Sequence, residues 1–411
     1  MSESKFVILG GGMVAGYAAK QMVELGLKSG ELTILSSDTS VPYERPPLSK
    51  GFLAGRDTEE SVRINPEEFY GKQGIELKLD CPVTSVDAKK KRLSLKSGGE
   101  IQFEKLIVAT GSRVRKLDIP GANLANVQYL RSLDDSKAIR QRAEGVKQAV
   151  VIGSGFIGME VTAVLAQKGI EVTMVVRDDR IWKQFFSPQM SSFFEAYYTA
   201  RGVRFAKIAT VKELRGDGTV GSVVLGDGQT IASQLVVAGI GVRPVTELLA
   251  NSGIEVGDGV MVNEYLETNV PGIYAAGDVA NYQDVLFDKR RRVEHWDNAV
   301  SQGEHCARSL MGQREPFKHV PYFFSDVFDL SYEFWGDPAG ADEIIHRGDL
   351  STNSFSVWWL RQSVLVAAFI MKRPDDERDV APKWIESKQR ISGENLANAS
   401  NSILAAVKAS G

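Results

Sequence analysis

Short apolar, β-branched runs recur along the chain and alternate with stretches in which small and apolar residues return at helical spacing. The first run, FVIL at 6–9, meets Gly10, Gly11 and Gly12, and Ala15, Gly16, Ala18 and Ala19 follow. This predicts a strand, a tight turn and a helix packed close to the strand. The pattern returns at 149–169, AVVIGSGFIGMEVTAVLAQKG, with Gly153, Gly155 and Gly158. Each copy leads to a further apolar strand, 31–35 and 171–176. Residues 74–103 break into IELKL, VTSVDA, RLSLK and IQFEKL, with a turn at Ser97-Gly98-Gly99, and predict a β-meander crossover. LIVATGS (106–112) reads as a separate buried strand ending at Thr110-Gly111, and LVVAGIGVRP (235–244) echoes it. A short apolar strand at 273–276 closes on Gly277-Asp278. Residues 290–312 predict a loop feeding a helix. From Pro321 aromatics cluster, and runs such as FSVWWL and VLVAAFIM predict an antiparallel sheet. After about Gly393 the residues are small and polar, with one apolar helical stripe (Ile403, Leu404, Val407) and no assigned role.

The glycine turns carry the chemistry. In such a turn the first glycine makes a tight bend and the second lets the backbone approach a pyrophosphate. A small third residue lets helix and strand pack closely. These are Gly10, Gly12 and Ala15 in the first copy, and Gly153, Gly155 and Gly158 in the second. Phosphates would sit on the helix N-terminus, where free N–H groups and the helix dipole favour negative charge. One such turn is as compatible with a structural bend as with a nucleotide site. Two, each opening a βαβ unit, point to two dinucleotides. The strand after the first copy ends in Ser36 and Ser37, with Asp38 next; Asp38 serves ribose hydroxyls or is a loop acid. Asp278 stands at a strand C-terminus, a position suited to binding a chain of hydroxyls. In VPYERPPLSK (41–50), Pro42, Pro46 and Pro47 stiffen a loop that positions Arg45 and Lys50; alone, it reads as a solvated loop.

Composition narrows the classes. The chain has 411 residues, 43% hydrophobic and 25% charged, enough for two or three domains. A net charge of -3 offers no basic excess to hold nucleic acid or an anionic membrane. No run is long enough to span a bilayer, and the apolar N-terminal run lacks a basic leader, so neither a membrane anchor nor a signal peptide is expected. Cys81 and Cys306 cannot form a CxxC pair. This argues against dithiol chemistry and for a reducing compartment, the cytoplasm. His295, His305, His319 and His346 show no metal-ligand spacing, and no metal is expected.

The two glycine motifs, the PYERPPLSK loop, the ATG strand and the TNVPGIYAAGD strand occur in an order that resembles the FAD- and NAD(P)-dependent pyridine nucleotide oxidoreductases. Within them the chain resembles the branch of monodehydroascorbate reductases, ferredoxin and rubredoxin reductases, and apoptosis-inducing factor. The likeness covers nearly all of the chain short of its tail. It implies an α/β fold of two Rossmann-like dinucleotide-binding domains, three-layered with β-meander crossovers, plus a C-terminal α+β domain with an antiparallel sheet. The implied divisions are an FAD-binding domain at 1–113 and 246–318, an NAD(P)-binding domain at 114–245 and an interface domain at 319–411.

The resemblance assigns Gly10, Gly12 and Ala15 to the FAD pyrophosphate and Asp278 to a ribityl hydroxyl. It groups Asp38, Thr110, Gly111 and Gly277 with that site and places Arg45 and Lys50 beside the flavin, Lys50 near its N5 edge. Gly153, Gly155 and Gly158 take the nicotinamide dinucleotide. Glu160, otherwise a helix-surface acid, is implied near the nicotinamide and paired with Lys50. A cation there stabilises negative charge on the reduced flavin, and a carboxylate partner tunes it. Glu294, His295 and Trp296 match the segment lining the flavin; read alone they are a helix start with an aromatic in the core. Lys50, Glu160 and His295 are the candidate catalytic residues. Asp178, where monodehydroascorbate reductases often carry Glu, favours NADH, whereas Arg177 and Arg180 favour the 2′-phosphate of NADPH. The balance falls slightly to NADH.

Without a dithiol, electrons must pass directly to a redox protein or a small acceptor. In YFFSDVFDLSYEFWGD (322–337), Asp326 stands where plant monodehydroascorbate reductases carry an Arg implied in ascorbyl binding, and Trp335 stands where they carry a Tyr. Trp335 lines the flavin or packs in the core. Three readings result: a reductase of a ferredoxin- or rubredoxin-type protein or small acceptor, a monodehydroascorbate reductase, or an NADH-sensing flavoprotein like apoptosis-inducing factor.

Overall fold

The computed structural model describes residues 2–183 and 185–408. The chain forms two compact units, each assembled from separate segments. The first comprises Met1–Arg45, Glu59–Arg113 and Arg243–Tyr322; the second comprises Pro46–Thr58, Val114–Val242 and Phe323–Gly411.

The first unit is built on a seven-stranded sheet. At its centre, Ser2–Leu9 runs parallel to Leu32–Leu35 on one side and to Glu100–Val108 on the other. Ile8 lies between Ile34 and Ile107, and all three are fully buried. Glu76–Lys78 and Ile273–Ala275 extend the parallel part. Val83–Asp87 and Arg92–Leu95 join antiparallel, so the meander lies in the same sheet. IQFEKL and LIVATGS are not two strands, as their patterning suggests, but halves of one, Glu100–Val108. The pattern changes mid-strand because the neighbours change. The first residues pair antiparallel with Arg92–Leu95 and alternate; the last pair parallel with Ile273–Ala275 and are buried throughout. The helix Met13–Glu24 packs on the helix Trp296–Leu310, where Gly303 admits the Val14 backbone: a methyl group there would lie 2.9 Å from the Val14 carbonyl oxygen.

The second unit holds a five-stranded parallel sheet centred on Gln148–Ile152, with Glu171–Val176 and Arg204–Lys207 to one side and Leu235–Ala238 and Val127–Gln128 to the other. Its meander, Val211–Arg215, Ser222–Leu225 and Thr230–Ala232, forms a separate three-stranded antiparallel sheet. The aromatic C-terminal region is a five-stranded sheet of Tyr322–Val327, Leu330–Gly336, Glu343–Asp349, Ser354–Arg361 and Val364–Met371. Phe186 and Phe194, the latter on the helix Pro188–Thr199, meet Tyr332 and Phe369 of that sheet edge to face. Trp335 is buried in the same sheet, paired with Ala368. The described tail, 393–408, folds back on the C-terminal sheet through Arg347. Leu396, Ile403 and Ala406 are buried, while Leu404 and Val407 are exposed, because 403–406 form a 3-10 turn rather than an amphipathic helix. Residues 409–411 of the predicted C-terminal domain lie outside the described residues.

Candidate active site

In the first unit the glycine turn is shaped for an anion. Gly10 has φ +127, and a methyl group on it would lie 2.1 Å from the Ala109 carbonyl oxygen. Gly12 is the N-cap of Met13–Glu24 and offers no capping side chain, so nothing of its own covers the helix N-terminus. A methyl on Gly12 would stand 3.9 Å from the Arg45 guanidinium, which places that cation beside the turn. Ala15 is fully buried, as close helix–strand packing requires. The turn at Gly277 closes on that helix and on Trp296–Leu310. Its N–H donates to the Gln302 side-chain oxygen at 2.8 Å, and a methyl on it would press on Val14. Asp278 follows, half-buried. Thr110 Oγ1 donates to the Val245 carbonyl at 2.7 Å, and the Val245 N–H donates to the Gly111 carbonyl at 2.9 Å. These two residues thus tie the strand end to the returning chain.

Asp38 uses both oxygens locally: Tyr43 donates to one at 2.8 Å and the Ser40 N–H to the other at 3.0 Å. The strand end itself is occupied by buried Ser36, which packs under Gly11. Glu44, within VPYERPPLSK but with no role read from it there, organises this region, accepting hydrogen bonds from the Tyr17 hydroxyl and the Trp296 indole. Burial and the Glu44 carboxylate push the Tyr17 hydroxyl well above its ordinary range. Glu294 pairs with Arg292 at 2.5 Å. His295 is the N-cap of Trp296–Leu310; desolvation drives its pKa down to about 4 against the opposing pull of Asp278 and Asp297. It is therefore a neutral imidazole at pH 7.

In the second unit the second glycine turn repeats the design. Gly153 has φ +103 and abuts the Gly239 carbonyl, and Gly158 abuts the Gly153 carbonyl. Gly155, the helix N-cap, faces open space. Five residues after Gly155 comes Glu160, and it is not a surface acid: it is 4% exposed. Lys50 Nζ lies 2.8 Å from its Oε1, so the structure brings these two predicted residues together, while His295 belongs to the other unit. Ser49 and Ser325 also donate to the Glu160 carboxylate; they lie within VPYERPPLSK and YFFSDVFDLSYEFWGD, but neither stretch marks them as donors. Asp178 is partly exposed at the end of Glu171–Val176. The Arg180 guanidinium reaches Asp179 and the Lys183 carbonyl, leaving Arg177, which is exposed, as the nearer cation.

Residues 4–303 match the family of pyridine nucleotide-disulphide oxidoreductases, and residues 322–407 match the reductase C-terminal family. The chain belongs to the pyridine nucleotide-disulphide oxidoreductase family. It is 37% identical over 409 residues to peroxisomal monodehydroascorbate reductase 4 of Arabidopsis thaliana, covering 94% of this chain and 83% of that one. Its structure is similar to the ferredoxin reductase for the CYP199A2 system of Rhodopseudomonas palustris, at 33% identity and TM-score 0.94 over 98% of this chain and 100% of that one. It is equally similar to the putidaredoxin reductase in a covalent complex with putidaredoxin, at 30% identity and TM-score 0.94 over 100% of both chains.

As a member of this oxidoreductase family the protein is an FAD enzyme that takes a hydride from NAD(P)H. The residues present fit both groups. Two helix N-termini lack their own caps, and the glycines before them leave room where a side chain would block a pyrophosphate. Cys81 and Cys306 are both free, and burial pushes the Cys306 thiol far up, so electrons leave without a redox-active disulfide. Among the described residues no helix is long and apolar enough to cross a membrane, and no cluster of His, Cys, Asp and Glu is arranged to hold a metal.

Proposed function

We propose that the protein oxidises NADH and passes electrons to an iron–sulfur redox protein of the ferredoxin type. The observation that carries this reading is Asp326. It is exposed on the C-terminal sheet, where an anionic ascorbyl substrate would call for a cation. The full-length likeness to two reductases whose names specify a ferredoxin and a putidaredoxin as partners supports it. The identity to monodehydroascorbate reductase favours the second reading, a small radical acceptor.

On this reading the FAD-binding domain is 1–113 with 246–318, the NAD(P)-binding domain 114–245 and the interface domain 319–411. Gly10, Gly12 and Ala15 hold the FAD pyrophosphate with Arg45 beside it, and Asp278 takes a ribityl hydroxyl. Asp38, Thr110, Gly111, Gly277, Glu294, His295 and Trp296 shape that side. Gly153, Gly155 and Gly158 hold the nicotinamide dinucleotide, and Asp178 selects NADH by accepting from its ribose. The engagement of Arg180 with Asp179 supports that choice. FAD, when bound, supplies the conversion of a two-electron donor into one-electron transfers. Lys50 contributes a fixed positive charge, and Glu160 holds it in place. The two unpaired cysteines suit a reducing cytoplasm.

The test is an acceptor panel with purified holoenzyme and NADH. Cytochrome c reduction through a [2Fe–2S] ferredoxin should far exceed turnover of the ascorbyl radical. Faster ascorbyl turnover overturns the reading in favour of the second. A long-lived reduced complex with little turnover of any acceptor would instead mark an NADH-sensing protein.

A further inference from the structure

Glu160 lies on the helix Phe156–Gln167, and a carboxylate can only accept hydrogen bonds. Three donors meet it. Lys50 Nζ and Ser325 Oγ share Oε1 at 2.8 and 2.6 Å, and Ser49 Oγ donates to Oε2. Ser49 and Lys50 are neighbours in one loop. Ser325 comes from elsewhere: it is fully buried on Tyr322–Val327, in the C-terminal sheet. The residue before it, Phe324, has its ring centroid 5.1 Å from Lys50 Nζ. One strand of the C-terminal sheet therefore touches both members of the ion pair.

We infer that Ser325 is a positioning residue for the Lys50–Glu160 pair, so that the C-terminal sheet completes the hydride-transfer machinery and does not serve acceptor docking alone. The inference rests on the reading that Lys50 and Glu160 serve the nicotinamide half-reaction. An oxygen shared by two donors has its direction set by both. Without the Ser325 hydroxyl, Oε1 keeps only Lys50. The terminal torsion of Glu is broad, so the carboxylate is then free to turn. Lys50 carries its charge on a flexible stem and follows it. Ser49 does not compensate, because it holds the other oxygen. Phe324 restrains the ammonium only through its ring face, which has no preferred direction about the ring normal.

The experiment uses holoenzyme carrying Ser325→Ala, Glu160→Gln or both, with stopped-flow flavin reduction by NADH and the midpoint potential of the bound flavin. Ser325→Ala should lower the limiting reduction rate about tenfold, as for a slightly misplaced reacting group, with NADH affinity held within about twofold. It should add nothing in the Glu160→Gln background, and it should move the potential in the direction that Glu160→Gln does. A wild-type rate and potential in Ser325→Ala, or fully additive slowing in the double variant, overturns the inference. So does a lowered melting temperature with unaltered kinetics, since Ser325 would then serve packing alone. A slow Glu160→Gln beside a wild-type Ser325→Ala overturns the inference alone. A wild-type Glu160→Gln overturns the reading of the ion pair as well.

Discussion

Arg347 Nε donates to Oε1 of Glu377 at 2.8 Å, and the two side chains are only 4% and 1% exposed. The rest of the Arg347 fork is spent on the carbonyls of Leu396, Asn398 and Asn401, which fastens the tail to the C-terminal sheet. Glu377 also accepts from Arg373 and Ser356, each at 2.6 Å. Burial alone would raise its pKa; the hydrogen bonds from Arg373, Ser356 and Arg347 outweigh burial and hold it below the ordinary value. A carboxylate whose folded pKa is depressed stabilises the fold above its unfolded pKa. That contribution is lost as pH falls through the folded value. The melting temperature should therefore drop on the acid side, below roughly pH 4, and Glu377→Gln should flatten that limb. Arg347→Ala should cost about 3–5 kcal/mol, as for a broken buried pair, and expose 393–408 to protease. Thermal melts across pH and limited proteolysis check both.

The two glycine turns make separable predictions. Gly10→Ala forces a side chain into φ +127 and against the Ala109 carbonyl, so the purified protein should carry little flavin. Gly158→Ala drives a methyl to within 2.1 Å of the Gly153 carbonyl and pushes helix from strand in the second turn only. It should retain flavin while NADH affinity falls about tenfold, a loss of roughly 1.4 kcal/mol. The ratio of flavin to protein absorbance and the NADH titration read the two effects independently. Flavin loss in both variants would contradict the division of labour.

What the sequence revealed follows from how locally each feature is encoded. The glycine turns and the Asp278 strand end are local matters of backbone space and β-branched runs, and they were legible. Glu160 stood in an almost wholly apolar helix, FIGMEVTAVLAQ, and that context is itself a burial signal. What holds its carboxylate, the hydroxyls of Ser49 and Ser325, exists only once distant strands and loops meet. Glu44 was hidden for the same reason, since Tyr17 and Trp296 reach it from two helices. The single strand Glu100–Val108 looks like two in sequence because its neighbours, not its own residues, set the change in pattern. The tail was opaque in part because Arg347 holds it by backbone carbonyls, which leave no mark on side-chain identity.

On the proposed reading, cofactor choice turns on Asp178. It stands at the end of Glu171–Val176 with Arg177 exposed beside it, while Arg180 leans on Asp179 and the Lys183 carbonyl. An acid here accepts from a ribose 2′-hydroxyl and repels a 2′-phosphate. Asp178→Ala should raise the KM for NADH about tenfold, the scale of one good hydrogen bond, and improve kcat/KM for NADPH. Steady-state kinetics with both cofactors decide this. A variant that loses NADPH activity in step with NADH would place the selecting group elsewhere.

Lys50 is the cation that Glu160 holds, and its removal separates charge from architecture. In Lys50→Ala the buried carboxylate keeps Ser49 and Ser325 as donors but loses its counter-charge, so the melting temperature should fall as for a broken buried pair, with the hydroxyls limiting the loss. The positive charge is gone. Removing one preorganised electrostatic contact of this kind costs about a hundredfold or more in rate. Flavin reduction by NADH should slow by that order in stopped-flow while flavin content stays normal. Lys50→Arg should recover only part of the rate, because a planar guanidinium cannot reproduce a point charge on a flexible stem. The acceptor half-reaction, followed by mixing pre-reduced enzyme with ferredoxin, should change far less, because Lys50 is assigned to the nicotinamide step. An unchanged reduction rate in Lys50→Ala would remove Lys50 from that step and leave the ion pair with Glu160 as a structural contact alone.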